Sequence, residues 1–231
     1  MSAYFVTATG TDIGKTFVTA GLVRHLRDSG EPVAAFKPVM SGFDIATAAV
    51  SDAGVLLDAL GDPITPEAIE RLSPWRFAAP LSPDMAAARE AGGIDFAALV
   101  TRCREVIATS GTVFVEGVGG VMVPLDDTRT VLDWMTELDV PLILVTGSYL
   151  GTISHTLTAV DVCQRRGLTV ATVVLNESDR STVPVADTLA SLRRFLGGVP
   201  LVVIPRVRSW IDAKTDFART WDTINGNRAE N

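Results

Sequence analysis

A short polar turn near the start of the chain has the residue types of a phosphate-binding loop. It follows an apolar, strand-like segment at residues 4–8 and ends in Gly14-Lys15-Thr16, where an amphipathic helix is expected to begin. Backbone N–H groups in such a turn face phosphate oxygens, and the helix N-terminus adds the positive end of its dipole. The lysine supplies positive charge to the terminal phosphates, and the threonine hydroxyl faces Mg²⁺. The segment therefore predicts a nucleoside-triphosphate site.

The loop departs from the usual spacing, in which a glycine stands five positions before the second glycine of the motif. Thr9 stands at that position and Gly10 follows it, so we expect Gly10 to provide the backbone freedom. An ordinary turn that starts a helix is the alternative. The strand before the loop, and the apolar helix face that includes Val18, Leu22 and Leu26, favour the phosphate loop.

The composition indicates an α/β protein without a nucleic-acid or membrane surface. The chain has 231 residues, is 47% hydrophobic and has a net charge of −7, so it can bury a sizeable core and has no basic footprint. Its apolar runs are too short to span a bilayer, and the first strand leaves no room for a signal peptide. Cys103 and Cys163 are expected to be buried free thiols. We expect a cytoplasmic protein with one domain at residues 1–224 and a disordered tail at 225–231.

Strand-like and helical segments alternate along the chain. The strand-like runs lie at residues 4–8, 32–36, 112–116, 141–146, 169–175 and 200–204. The helical patterns lie at residues 15–28, 46–60, 94–109, 130–138, 152–166 and 182–196. This alternation predicts right-handed βαβ units and an α/β, P-loop NTPase-like fold with a mostly parallel central sheet flanked by helices. Residues 61–93, which contain five prolines, are expected to form short helices and turns over one end of the sheet.

Chemically useful residues follow the predicted strands. Lys37 follows the second strand, Glu116 ends the third and Asn176 follows the fifth. Ligands of doubly wound sheets bind at the carboxyl ends of the strands, so these side chains are expected to meet at one edge. Lys37 would neutralise charge on a transferring phosphoryl group, with a solvated surface lysine as the alternative. Glu116, which precedes a Gly-Val-Gly-Gly segment, suits a Mg²⁺ ligand.

Two residues leave alternatives open at this point. Asp52 either joins the Mg²⁺ site or caps a helix, because Ser-Asp pairs are common at helix starts. Asn176 either ends its strand in a turn or reads an adenine edge with an amide that both donates and accepts. The chain has no Asn-Lys-X-Asp segment of the guanine-reading kind, which favours adenine.

Seven segments of the chain share a recognisable order and spacing. The segments are Thr7-Ala8-Thr9-Gly10-Thr11-Asp12-Ile13-Gly14-Lys15-Thr16, Lys37-Pro38-Val39-Met40-Ser41-Gly42, Ser51-Asp52-Ala53, Phe77-Ala78-Ala79-Pro80-Leu81-Ser82-Pro83, Val115-Glu116-Gly117-Val118-Gly119-Gly120, Leu150-Gly151-Thr152-Ile153-Ser154-His155 and Leu175-Asn176. Together they resemble the corresponding segments of dethiobiotin synthetases, and the similarity runs from about residue 2 to about residue 207.

This resemblance implies an ATP-dependent ligase of biotin biosynthesis. The family closes the ureido ring of dethiobiotin from 7,8-diaminononanoate (7,8-diaminopelargonate), CO2 and MgATP. One amine captures CO2 as a carbamate, whose oxygen attacks the γ-phosphate to give a carbamic–phosphoric anhydride. The second amine then attacks the same carbon, and phosphate leaves. The protein would position the reactants and stabilise charge.

The resemblance also implies roles for residues of this chain. The implied catalytic residues are Lys37, Lys15 and Thr11. The implied Mg²⁺ ligands are Thr16, Asp52 and Glu116. The implied ATP contacts are Asp12, Ile13, Gly14, Lys15, Thr16, Phe17, Asp52, Glu116, Gly117, Val118, Gly119, Asn176, Glu177, Pro205, Arg206 and Val207. Ser41 would contact the diamine end together with Thr11.

The family is a homodimer with its site at the interface. By resemblance, Gly151 and Thr152 would therefore accept the substrate carboxylate from the neighbouring subunit, at a helix N-terminus. Asp84 and Ser154 stand where the family usually has His and Asn. These two departures affect the expected substrate contacts but not the expected reaction.

Two other families share part of this pattern. A cobyrinic or cobyric acid synthetase has a similar loop but needs a glutamine-hydrolysing domain, for which 231 residues leave no room. A ParA/MinD-like ATPase switch has an additional lysine at the start of the loop, where this chain has residues 8–10, and a membrane-targeting helix that this sequence lacks. The seven segments favour a dethiobiotin synthetase over both.

Overall fold

Six parallel strands form the central sheet of the computed structural model, which describes residues 2–90, 92–109, 111–179 and 181–229. The strands of the chain are β1 (Ser2–Ala8), β2 (Val33–Phe36), β3 (Val39–Ser41), β4 (Trp75–Phe77), β5 (Thr112–Glu116), β6 (Leu142–Thr146), β7 (Val170–Asn176) and β8 (Leu201–Ile204). The central sheet has the order β2-β5-β1-β6-β7-β8, and its neighbouring strands pair in parallel. The predicted parallel sheet is therefore confirmed.

Helices cover both faces of this sheet. They are α1 (Lys15–Asp28), α2 (Asp52–Leu60), α3 (Pro66–Leu72), α4 (Pro83–Arg89), α5 (Phe96–Ile107), α6 (Val131–Leu138), α7 (Thr152–Arg165), α8 (Val185–Phe195) and α9 (Lys214–Ala229). One apolar core lies under α1, α2, α3 and α9, and a second lies under α4 to α8. Within the described ranges, no helix is both long enough and apolar enough to cross a bilayer.

Strand β1 lies in the middle of the sheet because both of its faces are apolar. Tyr4 and Val6 pack into one core, whereas the Phe5 ring packs against the Trp134 ring in the other, with centroids 4.7 Å apart. A strand buried on both faces gains most from neighbours at both edges, and β5 and β6 supply them. The loop after β1 therefore opens between the ends of two strands.

The predicted helix at residues 46–60 is wrong in its extent. Ile45–Val50 forms a 3-10 turn, Ser51 is extended with ψ at 164°, and α2 begins only after it. Ser51 Oγ accepts a hydrogen bond from the Gly54 N–H at 3.2 Å. Serine favours this position just before a helix, because its side chain satisfies a free N–H there. The cap that the sequence suggested for Asp52 is thus provided by Ser51.

The C-terminal part contains a helix that the sequence patterns did not reveal. Helix α9 extends to Ala229, so residues 225–229 are helical, although a disordered tail was predicted. Residues 230–231 lie outside the described residues. Phe217, Trp221 and Ile224 recur at helical spacing and are buried. Many polar residues between them dilute this apolar pattern, which is why periodicity alone missed the helix.

Residues 61–93 contain more regular structure than predicted. The expected short helices are present as α3 and α4. In addition, β3 and β4 pair in a small parallel sheet of their own. Each of these strands has three residues, too few for an alternating pattern to be recognised. Met40 and Ser41 of β3 line a cleft at this edge of the protein.

Candidate active site

The loop between β1 and α1 turns through two left-handed positions. Asp12 has a φ of 56° and Gly14 a φ of 95°. A Cβ on Gly14 would lie 2.2 Å from Asn176 Nδ2, which itself donates to the Ile13 carbonyl at 3.0 Å. The expectation that Gly10 provides the backbone freedom is therefore wrong, because Gly14 takes the conformation that requires glycine. This hydrogen bond from the Asn176 side chain connects the loop to the end of β7.

Lys15 is buried at the start of α1, and its ammonium bends back over the loop. Its Nζ donates to the Gly10 carbonyl at a long distance of 3.4 Å. Burial, and then repulsion from Lys37, lower the pKa of Lys15 to about 8. An anion in the adjoining space would stabilise the charged form of this side chain. The geometry suits a lysine that binds phosphate.

A buried cluster of charges lies beside the loop. Glu116 ends β5, and its Oε1 accepts from Thr16 Oγ1 at 2.6 Å and from Lys37 Nζ at 2.8 Å. Lys37 Nζ also lies 3.0 Å from Asp52 Oδ2 and 3.2 Å from the Gly117 carbonyl oxygen. The structure thus brings together residues that are far apart in sequence. The alternative of a solvated surface lysine is wrong for Lys37, whose side chain is 3% exposed.

The two carboxylates keep Lys37 charged in spite of its burial. Burial alone would lower the pKa of Lys37, but attraction to Glu116 and Asp52 outweighs it and raises the pKa above its usual value. Burial would raise the pKa of Asp52, whereas attraction to Lys37 outweighs it and lowers that pKa. Lys37 is therefore held as an ammonium and Asp52 as a carboxylate. Removing either partner would leave a poorly compensated buried charge.

The oxygen atoms of this cluster fit a Mg²⁺ ion bound together with phosphate. Glu116 Oε2 is buried and has no hydrogen-bond partner among the described residues. The Thr16 hydroxyl and the Asp52 carboxylate add two further hard donors. The described part of the chain has no group of three or more His, Cys, Asp or Glu side chains that could hold a metal. Because Mg²⁺ accepts one or two carboxylates with phosphate oxygens and water, this donor set suits a metal–nucleotide complex.

The loop, Lys37 and Asp52 line one cleft of about 730 Å³, a size usual for cofactor sites. Glu116 is fully buried and does not belong to the described lining of this cleft. The predicted residues that line it are Thr11, Asp12, Gly14, Lys15, Thr16, Lys37, Ser41, Asp52, Val118 and Gly119. The residues that sequence reasoning missed are Met40, Gly42, Phe43, Val50, Ser51, Pro80, Leu81, Ser82, Pro83 and Val123. The sequence contained a signal for residues 80–83, because they belong to the segment 77–83 that resembles the family. No role was assigned to that segment from the sequence.

Other predicted nucleotide residues lie outside the cleft lining. The side chains of Ile13 and Phe17 pack against the core under α1. A Cβ on Gly117 would lie 2.8 Å from the Phe5 ring, so this glycine permits close packing behind the cleft. The nucleotide contacts of these three residues stay a prediction.

The residues predicted to bind adenine lie at the ends of β7 and β8. Glu177 Oε2 accepts from the Arg206 N–H at 2.9 Å, and the Arg206 guanidinium pairs with Asp179 at 3.3 Å. These contacts join the segment after β7 to residues 205–207. None of these residues belongs to the described lining of the cleft, so their adenine contact stays a prediction.

Gly151 and Thr152 lie at the start of α7 and do not line this cleft. Gly151 has a φ of 99°. The Thr152 hydroxyl donates to the Gly147 carbonyl at 2.7 Å and lies 2.9 Å from Thr146 Oγ1. Because this hydroxyl is used internally, a carboxylate contact would come from the backbone. The role of these residues in a neighbouring subunit's site stays a prediction.

Comparison with known proteins establishes the family. A family model described as an AAA domain matches residues 2–212. ATP-dependent dethiobiotin synthetases from Acidiphilium cryptum and Phenylobacterium zucineum are 49% and 46% identical to this chain, over 92% and 94% of its length and 98% and 94% of theirs. The chain belongs to the dethiobiotin synthetase family. Membership of the dethiobiotin synthetase family confirms the resemblance drawn from the seven segments and the prediction of an ATP-dependent ligase.

Solved structures show which fold this dethiobiotin synthetase family member shares with other proteins. The cell division ATPase MinD from Pyrococcus furiosus aligns with a TM-score of 0.58 at 17% identity, over 97% of this chain and 100% of that one. A ParA family ATPase from Chlorobium tepidum aligns with a TM-score of 0.52 at 15% identity, over 100% and 94%. The P-loop NTPase-like class is confirmed. Likeness at this identity shows the fold alone, so it does not favour the ATPase switch over the dethiobiotin synthetase family.

Proposed function

We propose that the chain catalyses the ATP-dependent closure of the dethiobiotin ureido ring from 7,8-diaminononanoate and CO2. The observation that carries this proposal is the position of Lys37 Nζ, 2.8 Å from Glu116 and 3.0 Å from Asp52, in a cleft that also contains the phosphate loop. A fixed ammonium at this place would stabilise the negative charge that develops as a phosphoryl group is transferred.

The reaction has three steps that balance. One amine of the diamine attacks CO2 and loses a proton, which gives a carbamate. A carbamate oxygen attacks the γ-phosphorus of ATP, and ADP leaves, which gives a carbamic–phosphoric anhydride. The second amine attacks the carbonyl carbon and loses a proton, and inorganic phosphate leaves as the ring closes. Each step needs aligned reactants and stabilised negative charge, which fixed lysines provide.

The cleft residues divide these tasks between them. Lys15, at the end of the loop, binds the terminal phosphates, and Lys37 contacts the carbamate and the transferred phosphoryl group. Thr11 and Ser41 contact the diamine end. Mg²⁺, held by Thr16, Asp52 and Glu116, would neutralise charge on the phosphates when bound.

We infer that the working form is a cytoplasmic homodimer whose substrates are the diamine, CO2 or bicarbonate, and ATP. Val50 at the cleft and Leu150 beside the start of α7 are each 80% exposed. An interface that joins these two places would remove both from water. It would also bring Gly151 and Thr152 of one subunit to the cleft of the other. The net charge of −7 gives no support to a nucleic-acid or membrane partner.

A product assay tests the proposed function directly. Purified protein is incubated with ATP, Mg²⁺, bicarbonate and 7,8-diaminononanoate, and dethiobiotin and ADP are measured by mass spectrometry. We expect equal amounts of both products and no ADP when the diamine or bicarbonate is left out. Steady ATP turnover without the diamine, and no dethiobiotin with it, would contradict the proposal and indicate an ATPase switch instead.

A further inference from the structure

The Lys37 ammonium lies against three protein oxygens. Its Nζ is 2.8 Å from Glu116 Oε1, 3.0 Å from Asp52 Oδ2 and 3.2 Å from the Gly117 carbonyl oxygen. An ammonium has three N–H donors and no acceptor, so these oxygens match its full donor capacity. Two of them belong to carboxylates that the family resemblance implies as metal ligands. In this structure, the cation that joins these two carboxylates is the lysine itself.

The oxygen of Glu116 that contacts Lys37 has no acceptor capacity left. Glu116 Oε1 accepts from Thr16 Oγ1 at 2.6 Å as well as from Lys37 Nζ, and a carboxylate oxygen has two lone pairs. The other oxygen, Oε2, is buried and has no partner among the described residues. A metal ion that bound Oε1 would therefore have to displace one of the two present donors.

The charges near this contact also oppose a cation that arrives without phosphate. Lys15 is repelled by Lys37 and attracted by Glu116 and Asp52, so all four charges act on one another. The two carboxylates keep the pKa of Lys37 above its usual value in spite of burial, and the lysine stays charged at neutral pH. A divalent cation on the same oxygens would be a close neighbour of this fixed positive charge.

We propose that Lys37 excludes divalent cations from Asp52 and Glu116 until nucleotide phosphates are present in the cleft. This inference rests on the proposed function, in which these two carboxylates bind Mg²⁺. Phosphate oxygens supply negative charge for the metal and new acceptors for the ammonium. The cleft thus accepts the metal as a metal–nucleotide complex, and the same exchange turns a Lys37 N–H towards the transferred phosphoryl group.

The test measures binding of Mn²⁺, a paramagnetic substitute for Mg²⁺, to the nucleotide-free protein. Free Mn²⁺ is followed by its electron paramagnetic resonance signal, so the measurement does not depend on catalysis. Lys37→Met removes the ammonium and keeps a long side chain. We expect its dissociation constant for Mn²⁺ to be at least about 10-fold lower than that of the parent protein, because repulsion and competition are both lost. The matched control is Lys214→Ala, which removes one exposed positive charge and should bind Mn²⁺ as the parent protein does.

A double variant and thermal unfolding locate the bound metal. Lys37→Met combined with Glu116→Gln should lose the gained affinity, because one of the two carboxylates is gone. Mn²⁺ alone should raise the melting temperature of Lys37→Met, since it replaces the lost counter-charge and binds only the folded state. The melting temperature of the parent protein should rise with Mn²⁺ only when a non-hydrolysable ATP analogue is also present.

Three results would overturn the inference. The first is a Lys37→Met variant whose affinity for Mn²⁺ equals that of the parent protein. The second is a gained affinity that persists in the double variant. The third needs no variant and decides the matter if Lys37→Met does not fold: Mn²⁺ alone raises the melting temperature of the parent protein as much as Mn²⁺ does in the presence of the analogue.

The product assay separates this inference from the proposed function. Dethiobiotin formation by a parent protein that binds Mn²⁺ equally well with and without nucleotide rejects only the exclusion of cations by Lys37. The expected Mn²⁺ results without any dethiobiotin formation reject only the proposed reaction.

Discussion

The Lys37 ammonium compensates the charges of two carboxylates, and Lys37 also lines the cleft. We expect Lys37→Ala to lower turnover by about 10²-fold or more, because a fixed charge near the transferred group is lost. ATP binding should weaken less than in Lys15→Ala, because Lys15 is the residue at the phosphate loop. Turnover and nucleotide binding are measured separately to distinguish these effects.

Lys214→Ala is the matched control for the Lys37 prediction. Lys214 pairs with Asp28 at 3.2 Å on an exposed surface, so its loss should leave turnover unchanged. Thermal unfolding of Lys37→Ala should also show reduced stability, because Glu116 and Asp52 lose their buried counter-charge. Turnover close to that of the parent protein would mean that Lys37 is only a structural ion-pair partner.

Asp52 is expected to act on the metal rather than on the helix. Asp52→Asn removes the charge and keeps the size, so it should raise the Mg²⁺ concentration needed for half-maximal rate. The start of α2 should be preserved, because Ser51 provides its cap. The free energy of unfolding should still fall, because the buried Lys37 ammonium then has Glu116 as its counter-charge without Asp52. The measurement is a titration of product formation with Mg²⁺. The control is Asp58→Asn, which alters an exposed carboxylate of the same helix and should leave the Mg²⁺ requirement unchanged. If Asp52→Asn and Asp58→Asn need the same Mg²⁺ concentration, Asp52 is not a ligand of the metal.

The two cysteines are expected to be unreactive in the folded protein. Burial raises the pKa of the Cys103 thiol to about 12 and that of Cys163 to about 11, above the ordinary value of 9.0. Because the folded state keeps these protons longer than the unfolded state, their contribution to stability is complete below pH 9 and is lost as the pH rises towards the folded-state values. Labelling with a thiol reagent at pH 8 should be at least ~10²-fold slower in the native protein than in denaturant. Rapid native labelling would show that these sites open readily.

The packing of α9 against α1 depends on a small residue. A Cβ on Gly21 would lie 2.1 Å from the Phe217 ring, which also packs against Phe17 with centroids 5.5 Å apart. Gly21→Ala should therefore destabilise the protein by about 1–3 kcal/mol through overpacking, although alanine is the better helix former. Denaturant unfolding measures this change.

Gly226→Ala is the control for the helix α9 prediction. No atom lies within 4 Å of a Cβ placed on Gly226, which lies in α9 itself. This substitution should stabilise the helix by roughly 0.5–1 kcal/mol, because only the propensity changes. If both variants were stabilised, the close contact between Gly21 and Phe217 would not exist in solution.

At the scale of elements, the sequence predicts best where one physical pattern dominates. A nearly continuous apolar run is typical of a strand that is buried on both faces. Such runs allow the sequence alone to identify the strands β1, β5, β6 and β7. The small sheet of β3 and β4 is set by pairing between distant segments, which local patterns do not contain. Helix α9 was missed because many polar residues separate its buried residues Phe217, Trp221 and Ile224.

The candidate site also has some features that local sequence predicts and others that depend on contacts between distant segments. The loop, Lys37 and Glu116 were found because each follows a strand, and parallel strands end at one edge. Lys37 contacts both Glu116 and Asp52 because the turn before α2 places Asp52 beside it. The position of that turn cannot be predicted from the spacing of residues in the sequence. The role of Ser51 as the cap depends likewise on backbone geometry.

At the scale of the whole molecule, the proposed dimer can be tested by mixing inactive variants. Lys37→Ala should disable the cleft, and Gly151→Leu should disable the start of α7, where φ is 99°. If the two places belong to one shared site, mixed dimers contain one intact site and should recover up to about a quarter of the parent activity, provided that subunits exchange randomly. Product formation after mixing and incubation measures the recovery.

The control for this experiment lies at the other end of α7. Gly167 has a φ of 77° and no atom within 4 Å of an added Cβ, so Gly167→Leu introduces similar backbone strain away from the proposed interface. It should retain activity on its own. If Lys37→Ala and Gly151→Leu are both folded and exchange subunits but recover no activity when mixed, the result contradicts a site shared between subunits.

The backbone around Lys37 is held on both sides by the segment after α3. Ser73 Oγ donates to the Lys37 carbonyl at 2.5 Å, and the Trp75 N–H donates to the Pro38 carbonyl at 2.9 Å. Tolerance to changes of length should therefore be uneven within the proline-rich region. Extra residues in the exposed turn at 61–64 would bulge into solvent at little cost, whereas one extra residue at 73–75 would shift the lysine itself. What looks like a connecting segment in the sequence thus sets the position of Lys37 at the cleft.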